Sequence, residues 1–128
     1  SKKVIKLGNT DVFRDFTYVT DLCNAYLYAM NCKKLYGEIF NVGNNKKIEI
    51  SELIKEITSK LNVHLEILID QKRIRKDRSE VKILQADNSK FMNFTEWRPL
   101  ISLSQGLDLT IDWIKNNKSH FNKDIYYV

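Results

Sequence analysis

The sequence predicts a small α+β domain with about four helices and three or four short strands. In several segments apolar residues recur at helical spacing, as they do at Leu22, Ala25, Tyr26, Ala29 and Met30. Short runs rich in β-branched residues lie between these segments and end at glycine or asparagine. Since 128 residues with 43% hydrophobic and 29% charged side chains can bury one modest core, we expect residues 1–128 to form a single domain.

The amino-terminal half is predicted to alternate strands and helices. Residues 4–7 have the pattern of a strand, and residues 38–42 have that of a buried strand. Between them, Thr20 is a candidate N-cap for a helix that ends near residue 34, because its hydroxyl can accept from first-turn N–H groups. Asp21 then places negative charge at the positive end of the helix dipole.

The carboxy-terminal half contains the other predicted elements. Ser51 is a candidate N-cap for the second long helix, and residues 64–69 have a strand pattern. A short extended piece is expected near residues 83–84, followed by a brief helix over residues 88–94. Ser102, with glutamine three residues later, has the spacing of a capping box, which predicts the start of the last helix.

The most informative segment is residues 14–21, Arg-Asp-Phe-Thr-Tyr-Val-Thr-Asp, because it joins an arginine to the start of the first helix. A guanidinium held by a short connection suits phosphate, since its planar fork bonds two oxygens at once. Arg14 is therefore a candidate phosphate ligand. The alternative is a surface ion pair between Arg14 and Asp15, which contributes little energy.

Positive charge is concentrated in one predicted loop. The net charge is +5, and a run of seven residues contains Lys72, Arg73, Arg75, Lys76 and Arg78. We interpret this basic loop as a phosphate-binding segment, with a solvated charged loop as the alternative. A nucleic-acid partner is disfavoured, because no zinc finger or recognition-helix pair accompanies the run and no aromatic residues are interleaved with it.

Composition also argues against several classes of protein. No apolar run approaches the roughly 20 residues that span a bilayer, and the first residues do not form the apolar region of a signal peptide. We therefore expect a soluble, cytoplasmic protein without a membrane partner. The two cysteines form neither a disulfide framework nor a metal site, so no metal is predicted. Trp97 and Trp113 are expected in the core, and Lys90 is expected to pair with Asp87.

Segments along nearly the whole chain, from about Gly8 to Trp113, match one family in its own order. They are residues 14–21, Gly37-Glu38-Ile39-Phe40-Asn41-Val42-Gly43, Ser79-Glu80-Val81, Ala86-Asp87-Asn88-Ser89-Lys90, Trp97-Arg98-Pro99, Gly106-Leu107 and Thr110-Ile111-Asp112-Trp113. Together they resemble the carboxy-terminal part of the extended short-chain dehydrogenase/reductases, which are the nucleotide-sugar epimerases and 4,6-dehydratases.

The resemblance implies roles for individual residues. Arg14 matches the arginine that binds the diphosphate of the nucleotide sugar. Asn41 matches an asparagine of the substrate pocket, with the alternative that it satisfies backbone groups of a turn. Either Arg75 or Arg78 matches the arginine that a loop places against the nucleotide. Which of the two makes that contact stays open, because Lys76 replaces the usual proline.

The resemblance also implies that the catalytic half of the enzyme lies outside these residues. The four glycines are never clustered as in a dinucleotide-binding loop, and none of the six tyrosines stands four residues before a lysine. We therefore interpret the chain as the substrate-binding domain of a longer enzyme, without its Rossmann core. The missing domain is expected to bind NAD or NADP, and the chain alone is expected to be inactive.

The carboxy-terminal segments most resemble those of 4,6-dehydratases acting on GDP-mannose or UDP-N-acetylglucosamine. The resemblance therefore implies the nucleotide-sugar-binding portion of a 4,6-dehydratase, which oxidises C4, removes water across C5–C6 and returns hydride to C6. A 4-epimerase is the alternative within the family. A non-enzymatic anion- or RNA-binding module is the alternative outside it. The parent enzyme is expected to be a homodimer. The chain alone is expected to self-associate through apolar faces that the missing domain would cover.

Overall fold

The computed structural model describes residues 3–74 and 80–120, and it confirms the α+β class. The helices are α1 (Val19–Asn31), α2 (Ile50–Leu61), α3 (Ser89–Phe94) and α4 (Leu103–Asn116). The strands are β1 (Lys3–Leu7), β2 (Phe13–Asp15), β3 (Lys47–Glu49), β4 (Leu65–Ile69) and β5 (Ile83–Leu84). In the part of the chain that the structure covers, no helix has both the length and the apolar character needed to cross a bilayer.

The strands form two small sheets. β1 and β4 pair in parallel, with Lys3 opposite Leu65. The second sheet has the order β3-β2-β5, in which β2 runs antiparallel to β3 and parallel to β5. Our sequence analysis did not predict β2, yet it is the central strand of this sheet. Arg14 lies at its middle, opposite Ile48 of β3 and Leu84 of β5.

An aromatic cluster forms the core and confirms the predicted place of Trp97. Trp97 and Phe91 are 1% and 2% exposed, and their ring centroids lie 5.5 Å apart in an edge-to-face arrangement. Phe40 packs edge-on against Phe91 at 5.8 Å. Such aromatic pairs add about 0.5–1.5 kcal/mol beyond the area that they bury. Ala25 and Leu35 complete the cluster, so α1 and α3 pack around one centre.

Two predicted helix caps are wrong. α1 begins before the predicted start: its N-cap is Tyr18, without a side-chain cap bond, so Thr20 lies inside the first turn. α2 also begins early, with Glu49 at its N-cap. The hydroxyl of Ser51 donates to the Glu49 carboxylate over 2.6 Å. Both hydroxyl residues therefore lie two positions too far into their helices to act as caps.

Residues 38–42 do not form the predicted strand. The segment belongs to neither sheet, and only its alternate residues Phe40 and Val42 pack against the core. Ile39, between them, is 86% exposed. A strand needs a neighbour to satisfy its backbone groups, and the described residues place none beside this segment. The alternating pattern is present, but the pairing is not.

The start of α4 confirms the predicted capping box. The Ser102 hydroxyl accepts from the backbone N–H of Gln105 at 3.3 Å, and Gln105 Oε1 accepts from the backbone N–H of Ser102 at 3.1 Å. Trp113, on the same helix, is 54% exposed, so its predicted place in the core is wrong. It lies two residues, or about 200°, around the helix from the half-buried Ile111.

Candidate functional site

Arg14 is positioned by strand β2, and not by a connection between a turn and a helix. Its Nη1 atom donates to the carbonyl oxygens of Val81, at 3.0 Å, and of Phe13, at 2.7 Å. The residue is half-buried. A guanidinium carries five N–H groups, so hydrogen bonds from one nitrogen leave donors for a further ligand. Arg14 is therefore anchored just before β5 and keeps capacity to bind an anion.

Asp15, the predicted alternative partner of Arg14, makes separate contacts. Its carboxylate accepts from the backbone N–H groups of Asn44 at 3.2 Å, Asn45 at 2.9 Å and Ala86 at 3.1 Å. Successive side chains of a strand point to opposite faces, so Arg14 and Asp15 leave β2 on opposite sides. The two charged groups therefore act on different neighbours and do not form the surface ion pair that we considered.

The turn at residues 43–45 packs tightly against the segment that follows β5. Gln85 Nε2 donates to the carbonyl oxygen of Asn45 at 2.9 Å, and Asn88 Nδ2 donates to that of Gly43 at 2.7 Å. A Cβ atom on Gly43 would collide with the Ala86 methyl group. Glycine is therefore required at position 43 by close approach of the two segments.

Asn41 lies two residues before this turn, and it is exposed. The backbone groups of the turn are bound by other side chains, those of Asp15, Gln85 and Asn88. The alternative role that we considered for Asn41, satisfying those groups, is thus filled by three other residues. Its role in a substrate pocket stays a prediction.

Two predicted ligands fall in the interval that the structure does not describe, between residues 74 and 80: Arg75 and Arg78. The described residues on both sides of that interval contact the end of β1 or the connection from β1 to β2. On the near side, the Asp70 N–H donates to the carbonyl oxygen of Leu7 at 2.7 Å. On the far side, Asn9 Nδ2 donates to Glu80 Oε2 at 3.1 Å. Val81 directly follows Glu80, and its carbonyl oxygen accepts the hydrogen bond from Arg14 Nη1.

Lys90 pairs with Glu38 and not, as predicted, with Asp87. Its Nζ atom lies 2.8 Å from Glu38 Oε2 and 4.6 Å from the centroid of the Phe40 ring. The hydrogen bond from Lys90 and its positive charge lower the pKa of Glu38. Hydrogen bonds from the hydroxyl and backbone N–H of Ser89 lower the pKa of Asp87. The Lys90–Glu38 ion pair thus connects α3 to the segment of residues 38–42.

The four glycines do not form a dinucleotide cradle. An added Cβ at positions 8, 43 or 106 would meet protein atoms within about 3.2 Å, and Gly37 stands alone in a turn with φ +79°. A Rossmann loop needs three glycines close together at a strand-to-helix turn. The residues that the structure describes therefore contain no glycine-rich loop of this kind. Within these same residues, no group of three or more His, Cys, Asp or Glu side chains could hold a metal ion.

Comparison with known families decides the family of this chain. The sequence model of the family described as GDP-mannose 4,6 dehydratase matches residues 1–110. The chain belongs to the GDP-mannose 4,6-dehydratase family. This assignment confirms the resemblance to extended short-chain dehydrogenase/reductases, and solved structures of that class share its fold.

Individual relatives match most of this chain. A UDP-glucuronate 4-epimerase of Thermodesulfobacterium geofontis is 36% identical over 122 residues, which are 91% of this chain and 35% of that protein. The structure of a Bacillus anthracis dTDP-glucose 4,6-dehydratase in complex with NAD has a TM-score of 0.76 at 26% identity. That of a Thermotoga maritima UDP-glucose 4-epimerase with UDP-glucose has the same TM-score and identity. Both matches cover 91% of this chain and 36% of the solved chain. The chain described here therefore spans about a third of the length of its relatives.

Our sequence analysis missed the structural roles of two aspartates, Asp15 and Asp21. The buried Asp21 carboxylate accepts from the backbone N–H groups of Leu100 at 3.1 Å and Ile101 at 2.9 Å. One signal for it was available, because Asp21 lies four residues before the buried Ala25 and therefore on the same face of α1. The partners of Asp15 lie 29 to 71 residues away, and no local pattern indicates them.

Proposed function

We propose that this chain is the nucleotide-sugar-binding portion of an NAD(P)-dependent nucleotide-sugar 4,6-dehydratase, and that it grips the diphosphate and the nucleotide of the substrate. The position of Arg14 carries the proposal. Its guanidinium is anchored on the Val81 carbonyl oxygen, close in sequence to the five basic residues at positions 72–78. A half-buried arginine suits a diphosphate, because charge-assisted bidentate bonds engage two oxygens at once.

The other predicted ligands take complementary roles in this proposal. Asn41, which precedes the turn bound by Asp15, contacts the substrate in its pocket. Either Arg75 or Arg78 contacts the nucleotide. The catalytic groups and the NAD(P) site belong to the remainder of the enzyme, since the chain spans about a third of its relatives and its glycines form no cradle. By itself the chain binds without turnover, and the complete enzyme is a homodimer.

A nucleotide-sugar 4-epimerase is the second candidate. It is favoured by the 36% identity to a UDP-glucuronate 4-epimerase. The proposed roles of Arg14 and Asn41 in substrate binding suit either reaction. Mass spectrometry of the product separates the two reactions. A dehydratase yields a nucleotide sugar lighter by one water, whereas an epimerase yields an isomer of unchanged mass.

Calorimetric titration of UDP-glucose, GDP-mannose and dTDP-glucose into the complete gene product that contains this chain tests the proposal. We expect one of them to bind with a dissociation constant between about 1 μM and 1 mM. Separate Arg75→Ala and Arg78→Ala variants then identify the nucleotide contact. The proposal fails if none of the three binds while an RNA oligonucleotide does, with an affinity that falls steeply as salt rises through counterion release.

A further inference from the structure

Three segments of the described residues meet at one carboxylate, that of Asp15. The first segment is β2, in which Arg14 directly precedes Asp15. The segment that carries Asn41 continues into the turn at residues 43–45. The segment that follows the basic loop continues through β5 to Ala86. Asp15 belongs to the first of these segments, and its carboxylate accepts hydrogen bonds from backbone N–H groups of the other two.

The geometry of these hydrogen bonds makes Asp15 a junction between distant parts of the chain. Oδ1 accepts from Asn44, 29 residues away, and Oδ2 accepts from both Asn45 and Ala86, which is 71 residues away. All three donors are backbone N–H groups, so the carboxylate fixes main chain and not mobile side chains. Hydrogen bonds to an ionised acceptor are roughly twice as strong as those between neutral groups.

Close packing around the carboxylate leaves little freedom for the turn. The Gly43 Cα lies against both neighbours, since an added Cβ would stand 3.1 Å from Asp15 Oδ2 and would collide with Ala86. Asn45 has a left-handed backbone, with φ 57°, and its N–H points to Asp15. A non-glycine residue in that region is held there by its surroundings. The hydrogen bonds from Asp15 are part of what holds it.

We propose that Asp15 is a positioning residue for nucleotide-sugar binding. It contacts no substrate. It sets the separation between Arg14 and Asn41 by fixing the turn after Asn41 to the strand that carries Arg14. The inference rests on the proposed function, because it assigns to Asp15 an effect on that same ligand.

A double-mutant cycle in the complete gene product tests this role, with the tightest-binding of UDP-glucose, GDP-mannose and dTDP-glucose as the probe. Asp15→Asn replaces one acceptor oxygen by an NH2 group, which donates and cannot accept, and removes the negative charge. We expect it to weaken binding about tenfold when Arg14 is present. In an Arg14→Lys background the same change should weaken binding less than threefold, because Asp15 acts through Arg14. Non-additivity of this kind is expected for residues that share one network.

Asp87→Asn is the matched control, since Asp87 is exposed and accepts from the nearby Ser89 N–H at 3.0 Å. It should bind the nucleotide sugar like the wild type. Amide hydrogen exchange at Asn44, Asn45 and Ala86 should accelerate in Asp15→Asn and not in the control. If Asp15→Asn does not fold, Asp15→Glu retains the charge and displaces the carboxylate by one methylene, and it takes its place in the cycle with the same expectation.

The possible failures are distinguishable. If Asp15→Asn binds like the wild type while Arg14→Lys is impaired, the positioning role is wrong and the proposed function stands. If Asp15→Asn weakens binding equally in both backgrounds, Asp15 acts by general destabilisation and the positioning role is also wrong. If Arg14→Lys and Arg14→Ala both bind like the wild type, the proposed function fails, and the role of Asp15 fails with it.

Discussion

The indole nitrogen of Trp97 donates a hydrogen bond to the backbone carbonyl oxygen of Asp21 over 2.9 Å. The Asp21 carboxylate in turn binds the N–H groups of Leu100 and Ile101, and both Trp97 and Asp21 are at most 2% exposed. The start of α1 is thus fastened to the segment that precedes α4. Since β2 ends only a few residues before α1, this anchor also restrains the strand that carries Arg14.

Removing the Asp21 carboxylate should destabilise the fold. Asp21→Ala removes a buried carboxylate and leaves the backbone N–H groups of Leu100 and Ile101 without their acceptor, which costs about 2–4 kcal/mol of unfolding free energy. Asp112→Ala is the control, because the Asp112 side chain is 72% exposed, and it should stay within about 0.5 kcal/mol of the wild type. Urea unfolding measures both. Equal unfolding free energies for the two variants would show that the hydrogen bonds to the Asp21 carboxylate do not stabilise the fold.

The contact between Gly43 and Ala86 predicts a compensating pair of substitutions. Gly43→Ala places a methyl group where the Ala86 methyl group already lies, and such overpacking costs about 1–3 kcal/mol. Adding Ala86→Gly makes room and should recover a large part of that loss. Thermal unfolding of both single variants and the double variant gives the coupling energy. Strictly additive effects would show that the two residues do not touch.

The Lys90–Glu38 pair predicts a specific change in titration. Lys90→Met removes the partner that lowers the pKa of Glu38, so that pKa should rise toward its usual 4.5 in an NMR titration. The folded pKa lies below the unfolded one, so the pair stabilises the fold above the unfolded pKa and this contribution is lost as pH falls through the folded pKa. The lowered pKa of Asp87 has another cause, the hydrogen bonds from Ser89, and should stay lowered in the variant. An unmoved Glu38 pKa would contradict the ion pair.

α1 presents apolar side chains over most of its circumference. The face around Ala25 packs in the core, while apolar side chains around the rest of the helix are between 38% and 70% exposed: Val19, Leu22, Tyr26, Leu27 and Met30. A helix that is apolar nearly all round is normally buried on more than one side. The chain by itself should therefore self-associate in sedimentation velocity experiments.

Charged substitutions on the exposed face of α1 should abolish this self-association. We expect Tyr26→Lys combined with Met30→Lys to give a monomer at concentrations where the wild-type chain associates. Asn24→Lys is the control, since Asn24 is polar and exposed on the same helix, and it should not change the association. A wild-type chain that remains monomeric at high concentration would contradict the expectation.

Elements with local signals could be predicted from the sequence. The capping box at Ser102 and the apolar spacing of α1 depend on residues within one or two turns, so they are visible in a short window. β2 has only three residues and pairs with strands that begin 34 and 70 positions after it, at Lys47 and Ile83. Its existence depends on those distant partners. Residues 38–42 show the converse, a strand pattern without a partner among the described residues.

The same limit applies to the candidate site. Arg14 could be singled out because guanidinium chemistry and its neighbouring motif point to phosphate. The junction at Asp15 could not, since its three donors come from segments far along the chain and two of them are asparagines in a turn. The sequence indicates a side chain whose chemistry suits an anion, while the contacts around that side chain emerge only from the fold.

The affinity of Arg14→Ala for its nucleotide sugar tests the central claim most directly. Arg98→Ala is the matched control, because the Arg98 guanidinium also donates to backbone carbonyl oxygens, at 3.2 Å to Met92 and 2.6 Å to Trp97, and the residue is exposed. In the complete gene product, Arg14→Ala should weaken binding about 30-fold or more, as expected for a lost charged hydrogen-bonding partner, and Arg98→Ala should leave it unchanged. Equal affinities for Arg14→Ala and the wild type would contradict the account.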